Sequence, residues 1–315
     1  MRRPVDLFAG AAQLATAGEW LAFTERLYAR ARPALGQVAA SAHDEALYLL
    51  LRTLGWPLES EPRVLAKRLT AAERRRLETA FRRRIEERVP AAYLTGEAWL
   101  GGHRFVVDER VIIPRSYFVE VIPGALAACL PPGTRVRRAA DLCTGSGCLA
   151  ILLAYAFPHA RIDAGELSPA ALAVARANVR AHRLERRVRL FESDVFDGLP
   201  AGRYDLIISN PPYEPSGHVD RQAPEFAAEP RMAHDGGTDG LAVIRKLLRQ
   251  APARLEPHGI LAIEVGGLRR AMAREFAALG PTWLPTQDGA NCLAVFRARA
   301  ASRRPSDPKI SHLRV

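Results

Sequence analysis

Apolar and polar positions repeat with two different periods along this chain, and the change of period divides it. Up to about Arg88 the spacing is helical. Ser41 lies three residues before Asp44, the spacing of a capping box, and Leu47, Leu50, Leu51 and Leu54 follow on one face until Gly55 and Pro57 end the run. A second helix is expected from Thr70 to Arg88, with Leu77, Phe81 and Ile85 as its apolar stripe and Pro90 closing it. The next segment, YLTGEAWLGGHRFVVDERVIIP, alternates apolar and polar residues around Gly101-Gly102, which predicts a β-hairpin.

From about Arg135 the order strand, turn, helix repeats. Candidate strands cover 136–143, 161–167, 187–194, 204–210, 259–266 and 292–299. Helix-like runs lie between them, one opening at Ser168-Pro169 with an N-cap and a proline in the first helical position. Such alternation predicts an α/β doubly wound domain with a mainly parallel sheet. The expected organisation is a helical domain over 1–90, a β-hairpin linker over 91–115, the α/β domain over 116–299, and a disordered basic tail over 300–315, where the sequence is polar and broken by prolines.

Composition narrows the class. Of 315 residues 48% are hydrophobic and 25% charged, the balance of a protein with a sizeable core. No window approaches 18 uninterrupted apolar residues, so no transmembrane helix or membrane partner is expected. Asp6 before the first short apolar stretch, and Glu19 and Trp20 where cleavage would fall, argue against a signal peptide, which leaves a cytoplasmic location. Cys129, Cys143, Cys148 and Cys292 form no CxxC pair and no zinc-spaced set, so they read as small packing residues with no metal site. The net charge of +11 is concentrated: residues 67–88 carry nine basic and four acidic side chains, and 297–315 six basic and one acidic. The basic helix over 67–88 is either a solvated face or a surface that draws the protein toward RNA.

The chemistry lies at the ends of the candidate strands. The first runs into Asp141-Leu-Cys143-Thr144-Gly145-Ser146-Gly147, a turn whose glycines allow close backbone approach to a ligand. The second ends in Glu166, nineteen residues after Gly147, where a carboxylate can accept from ribose hydroxyls. The third ends in Ser193-Asp194-Val195-Phe196, a carboxylate for an adenine amino group beside apolar surface for its ring. The G-x-G-x-x-G fingerprint is incomplete because position 150 is alanine, and the acid at 141 would face a dinucleotide's phosphates. A cationic nucleoside suits this set better, and S-adenosylmethionine is the cofactor expected. The fourth strand ends in Asn210-Pro211-Pro212-Tyr213. There a side-chain oxygen and a backbone carbonyl can accept both N–H bonds of a planar nitrogen, and an aromatic face can pack against it.

With these motifs in view, the chain resembles the protein-(glutamine N(5)) methyltransferases over roughly Asp44–Arg297. Within them it is similar to the branch that modifies large-subunit ribosomal protein number three. The matching stretches are Ala92–Trp99, Val107–Val111, Pro114–Ser116, Asp141–Cys148 and Gly237–Leu241; the release-factor branch usually has proline after the Pro-Arg pair and glycine in place of Cys143. The resemblance implies a class I, Rossmann-like fold with a seven-stranded mainly parallel sheet. It implies that Cys143–Gly147, Glu166, Val195 and Asn210 line the cofactor, and that Asn210–Tyr213 hold the glutamine. Glu166, more often aspartate in such proteins, Tyr117-Phe118 and Glu214 differ from the usual pattern. Three other activities share these features: glutamine methylation of a release factor or another protein, amino-group methylation of a nucleic-acid base, and non-catalytic binding of RNA or ribosomes.

Overall fold

The computed structural model describes residues 6–122 and 124–298; the 300–315 tail lies outside the described residues. Three helices, α1 (Ala17–Ala31), α2 (Ala42–Leu54) and α3 (Ala71–Ile85), make the N-terminal unit. Helix α1 begins at a reciprocal capping box, Thr16 with Glu19, and α3 at another, Thr70 with Glu73. At α2 the Ser41 side chain accepts the Asp44 N–H, and Gly55 in the left-handed region ends the helix. Leu77, Phe81 and Ile85 are buried as their spacing predicts, against Trp20, Tyr28, Leu49 and Leu50. On α2 the buried face is broader than the sequence suggests. Leu49 is fully buried and Leu47 only partly, because α2 packs against both α1 and α3.

A short helix, Ala91–Thr95, leads into strands β1 (Glu97–Leu100) and β2 (His103–Val106), which pair antiparallel. Gly101 and Gly102 both take positive φ, at 57° and 76°, the two-residue turn that matches strand twist. Leu100 and Phe105 join the core of the α/β unit, so the hairpin is packed onto that unit.

The sheet consists of β3 (Arg138–Leu142), β4 (Arg161–Glu166), β5 (Val188–Glu192), β6 (Tyr204–Ser209), β7 (Leu255–Glu264), β8 (Thr282–Leu284) and β9 (Leu293–Arg297). Its order is β5-β4-β3-β6-β7-β9-β8, with β9 antiparallel to both neighbours and the other pairings parallel. Six strands match the apolar runs; β8, three residues long at the sheet edge, had no recognisable run. Hydrophobic clusters cover both faces, and Cys129, Cys148 and Cys292 pack within them. The strand order reverses between β3 and β6, and at such a point the loops leaving the carboxyl ends diverge and open a crevice. No helix among the described residues is long and apolar enough to cross a membrane.

Candidate functional site

One cavity of about 440 Å³ opens at that reversal. Cys143, Thr144, Gly145, Ser146, Glu166, Asp194, Val195 and all four residues Asn210–Tyr213 line it. Asp141 and Gly147 do not; they stand behind the glycine turn.

Cys143, Gly145 and Gly147 take positive φ at 60°, 55° and 81°, so alternate residues of the turn are left-handed. Only glycine does this without strain, and Cys143 carries the cost of order 1 kcal/mol that a side chain incurs there. The Gly145 N–H donates to Glu166 Oε2 at 2.8 Å, and Glu166 Oε1 accepts the Ser168 N–H at 2.9 Å. The carboxylate is thereby held beside the turn, each oxygen keeping lone-pair capacity toward the cavity. A Cβ on Gly147 would lie 3.3 Å from that of Ala175, so glycine lets the helix Pro169–Ala181 pack close. From that helix the buried Asn178 donates to the Ser146 carbonyl at 2.9 Å and exchanges hydrogen bonds with the Val106 backbone, tying the turn to the hairpin.

Asp141 is fully buried, and burial raises its carboxyl to about 7. Thr144 Oγ1 donates to its Oδ2 at 2.5 Å. Oδ1 makes no hydrogen bond, although the Ala150 amide favours the charged form from nearby. A buried acidic side chain with an unpartnered oxygen directly behind the glycine turn is suited to a cationic ligand and unsuited to phosphates. The cavity's two arginines are already engaged, Arg110 by Asp108 and Arg115 by Glu229.

At the end of β5, Ser193 Oγ donates to the Val195 carbonyl at 2.8 Å and accepts the Gly198 N–H at 2.9 Å. This closes a loop in which Val195, a β-branched residue, takes φ +59°. That conformation is an outlier which persists where surrounding bonds enforce it, often at a binding site. Asp194 is half exposed and pairs with Lys246 at 2.8 Å.

The other half of the cavity begins where Ser209 Oγ donates to the Leu142 carbonyl at 2.8 Å, joining the ends of β6 and β3. Asn210 turns Nδ2 toward the Arg115 carbonyl, a long contact at 3.5 Å, which leaves Oδ1 as its acceptor. Glycines back the motif. A Cβ on Gly266 would come within 2.4 Å of the Tyr213 ring; one on Gly240, within 2.3 Å of the Tyr213 carbonyl; one on Gly236, within 2.8 Å of the Pro212 carbonyl. Burial and the nearby Glu264 keep the Tyr213 hydroxyl neutral. Glu264, at the end of β7, is buried and raised to about 7; it accepts from Ser116 Oγ at 2.5 Å and the Tyr117 N–H at 3.1 Å.

Residues 222–234 roof the cavity, with Gln222, Phe226, Met232 and His234 on its wall. Glu229 anchors them. Burial alone would raise its carboxyl, but His234 and a bidentate Arg115, at 2.7 and 2.8 Å, hold it below the usual range. Gln37 of the helical unit donates to the same carboxylate at 2.5 Å and to the Glu225 carbonyl at 3.0 Å. Glu225 in turn receives Arg84 and Arg88 from the end of α3, and the fully buried Arg84 also pairs with Glu45 at 2.6 Å. These residues escaped the sequence reading; Arg115 and the Gly237–Leu241 stretch were visible only as parts of the resemblance. Among the unusual residues, Tyr117 bonds Asp288 through its hydroxyl at 2.5 Å, Phe118 is core, and Glu214 pairs through its backbone with His234 and Gly236 beside the cavity.

The methyltransferase small domain model matches residues 124–277. A ribosomal protein uL3 glutamine methyltransferase from Bordetella pertussis is 44% identical over 83% of this chain and 88% of its own length. Proteins of the same description from Burkholderia pseudomallei and Neisseria meningitidis serogroup A are 42% and 43% identical, over 86% and 89% of this chain and 91% and 92% of theirs. Among solved structures, a methyltransferase from Pyrococcus furiosus is similar with a TM-score of 0.44 and 21% identity, over 62% of this chain and 88% of that one.

Proposed function

The chain belongs to the family of ribosomal protein uL3 glutamine methyltransferases, and from that premise we propose that it methylates the side-chain amide nitrogen of a glutamine in ribosomal protein uL3, with S-adenosylmethionine as donor. The observation that carries this reading is the shared cavity: Asn210–Tyr213 face Gly145 and Glu166 across the strand reversal.

The bound cofactor supplies an electrophilic methyl group on a positively charged sulfur. This chain's own residues must make a poor nucleophile competent and aim it. An amide nitrogen delocalises its lone pair into the carbonyl. Asn210 Oδ1 and the Pro211 carbonyl accept its two N–H bonds, which fixes the nitrogen's plane and concentrates electron density on it. Tyr213, pressed against Gly266, offers its ring to the flat amide; its hydroxyl stays neutral, and the ring face favours a nearby positive charge. Holding two reactants in line is a major part of the rate gain, and the hydrogen bond between the β6 and β3 ends holds the two halves of the cavity together. The N–C bond forms as the methyl–sulfur bond breaks, the sulfur leaving as a neutral thioether, and one of the nitrogen's two protons then passes to water. On the cofactor side, Glu166 would accept from ribose hydroxyls, Asp194 and Val195 would meet the adenine, and Asp141 would favour a positive charge from behind the turn.

The test is transfer of labelled methyl from S-adenosylmethionine to uL3 purified from cells lacking the enzyme, read by tandem mass spectrometry. One methyl on a glutamine is the expected product. Label on a different residue type, on a release factor in preference to uL3, or on RNA would overthrow the assignment.

A further inference from the structure

The helical unit carries a second concave site. A groove of about 660 Å³ runs along α3, lined by Arg52, Arg75, Arg76, Thr79, Arg83 and Thr95 among others. It lies on the face of α3 opposite the buried stripe of Leu77, Phe81 and Ile85. The basic residues of this region divide into two sets. Arg52 on the groove wall is committed to Glu97, and Arg84, Arg88 and Arg82 are committed to Glu45 and Glu225 or to Asp6, Glu78 and Glu86. Arg75 and Arg76, both exposed, make no hydrogen bond or salt bridge among the described residues, and Arg83 meets only the exposed Glu87 at 3.5 Å.

We propose that this groove binds the sugar–phosphate backbone of RNA. Arg75, Thr79 and Arg83 follow at intervals of four, which stacks them along one face over roughly 12 Å, enough to meet more than one phosphate. The cations are all arginines, whose planar fork matches phosphate oxygens bidentately, and threonine hydroxyls between them can add contacts to the same backbone. The groove offers no exposed aromatic ring on which bases could stack, so the binding is to backbone and carries no sequence preference. An acidic protein could also be drawn there. The choice of RNA rests on the reading that the substrate is a ribosomal protein: such a protein is itself basic where it meets RNA, so arginines would repel it and attract the RNA it accompanies. The groove thus gives the enzyme a hold on the nucleic acid while the cavity takes the glutamine.

The test uses the full chain and a fluorescent single-stranded RNA of mixed sequence, titrated by anisotropy at several salt concentrations. The triple variant Arg75→Ser/Arg76→Ser/Arg83→Ser should bind at least about tenfold more weakly, with a salt slope smaller by about 2. A control variant, Arg135→Ser/Arg137→Ser/Arg161→Ser, removes the same charge from exposed positions at the opposite ends of the strands and should keep wild-type binding. Methylation of isolated uL3 should be unchanged in both. Equal RNA binding by the groove variant and wild type would overturn the proposal, as would equal losses in both variants, which would mean only net charge matters. A groove-dependent preference for poly-glutamate over RNA would assign the site to an acidic protein instead. The titration needs neither cofactor nor protein substrate, so a wild-type enzyme that failed to methylate uL3 would count against the proposed function alone.

Discussion

The half of the cavity proposed to hold the cofactor is made by turns that each follow directly on their own strand, at 141–147, 166–168 and 193–198. The half proposed to take the amide, at Asn210–Tyr213, is held from behind by Gly236, Gly240 and Gly266, and roofed by a segment clamped to residues more than a hundred positions earlier, Arg115 and Arg84. The first half is a set of local turns with left-handed backbone, tied together by hydrogen bonds such as Gly145 to Glu166 that span a few tens of residues at most. The second is a tertiary one whose shape depends on the docking of the helical unit. The contrast fits the two proposed tasks: a small cofactor is common to many enzymes, whereas the groups around a substrate amide would also have to admit one protein and refuse others.

The largest effect should come from breaking the clamp. Arg84→Met leaves the buried Glu45 without its cation and Glu225 with Arg88 alone, and should cost about 3–5 kcal/mol of stability, seen as a lowered Tm. An unchanged Tm would mean the roof is not anchored through the helical unit. Next, Asn210→Ala should lower kcat roughly 10²–10³-fold while calorimetry shows cofactor affinity within a few-fold of wild type. Joint loss of both would break the separation of the halves.

A pH effect of similar size belongs to Glu264. Its folded carboxyl titrates near 7 because it is buried, whereas in the unfolded chain it titrates near 4.5. Below the lower value both states are protonated. As pH rises through the window the unfolded chain gives up its proton first, so this group lowers stability between about pH 4.5 and 7, by on the order of 3 kcal/mol. Asp141 acts with the same sign. In Glu264→Gln the denaturant midpoint should depend less on pH across that window; a dependence as steep as wild type refutes the assignment. The smallest effect is expected from Gly266→Ala. The added methyl displaces the Tyr213 ring, and transfer should fall roughly 10-fold, about 1.4 kcal/mol, with the cofactor still bound. Wild-type turnover in this variant would show that the ring position does not matter.

Much of the cofactor half was legible in the residues because its signals are local. The spacing from Gly147 to Glu166 gives the placement of the carboxylate, and Ser168-Pro169 the helix start, capped by the Ser168 side chain; Glu166 Oε1 accepts the Ser168 N–H. Asp141 and Gly147 were legible as part of the turn, but not that they lie behind it. Where the amide motif sits was readable from its strand; what supports it was not, since a glycine at 266 says nothing alone about a ring encoded fifty-three positions earlier. The basic helix shows the same limit. Its charge was countable, and the helical period sets Arg84 beside Leu77 and Phe81 and Arg75 and Arg76 on the far side, but the acids that make it possible to bury Arg84, Glu45 and Glu225, come from distant parts of the chain.

What the chain's order of residues determined by itself was two of the N-terminal helices, the hairpin and six of the strands, with the turn chemistry at their ends, because periodicity, caps and left-handed glycines act within a few residues. Only the tertiary structure decided the sheet order that brings the ends of β3 and β6 together, and the buried ion pairs that press the helical unit onto the roof. Those contacts join residues far apart in the chain, where the energy of packing and charge pairing outweighs any local preference.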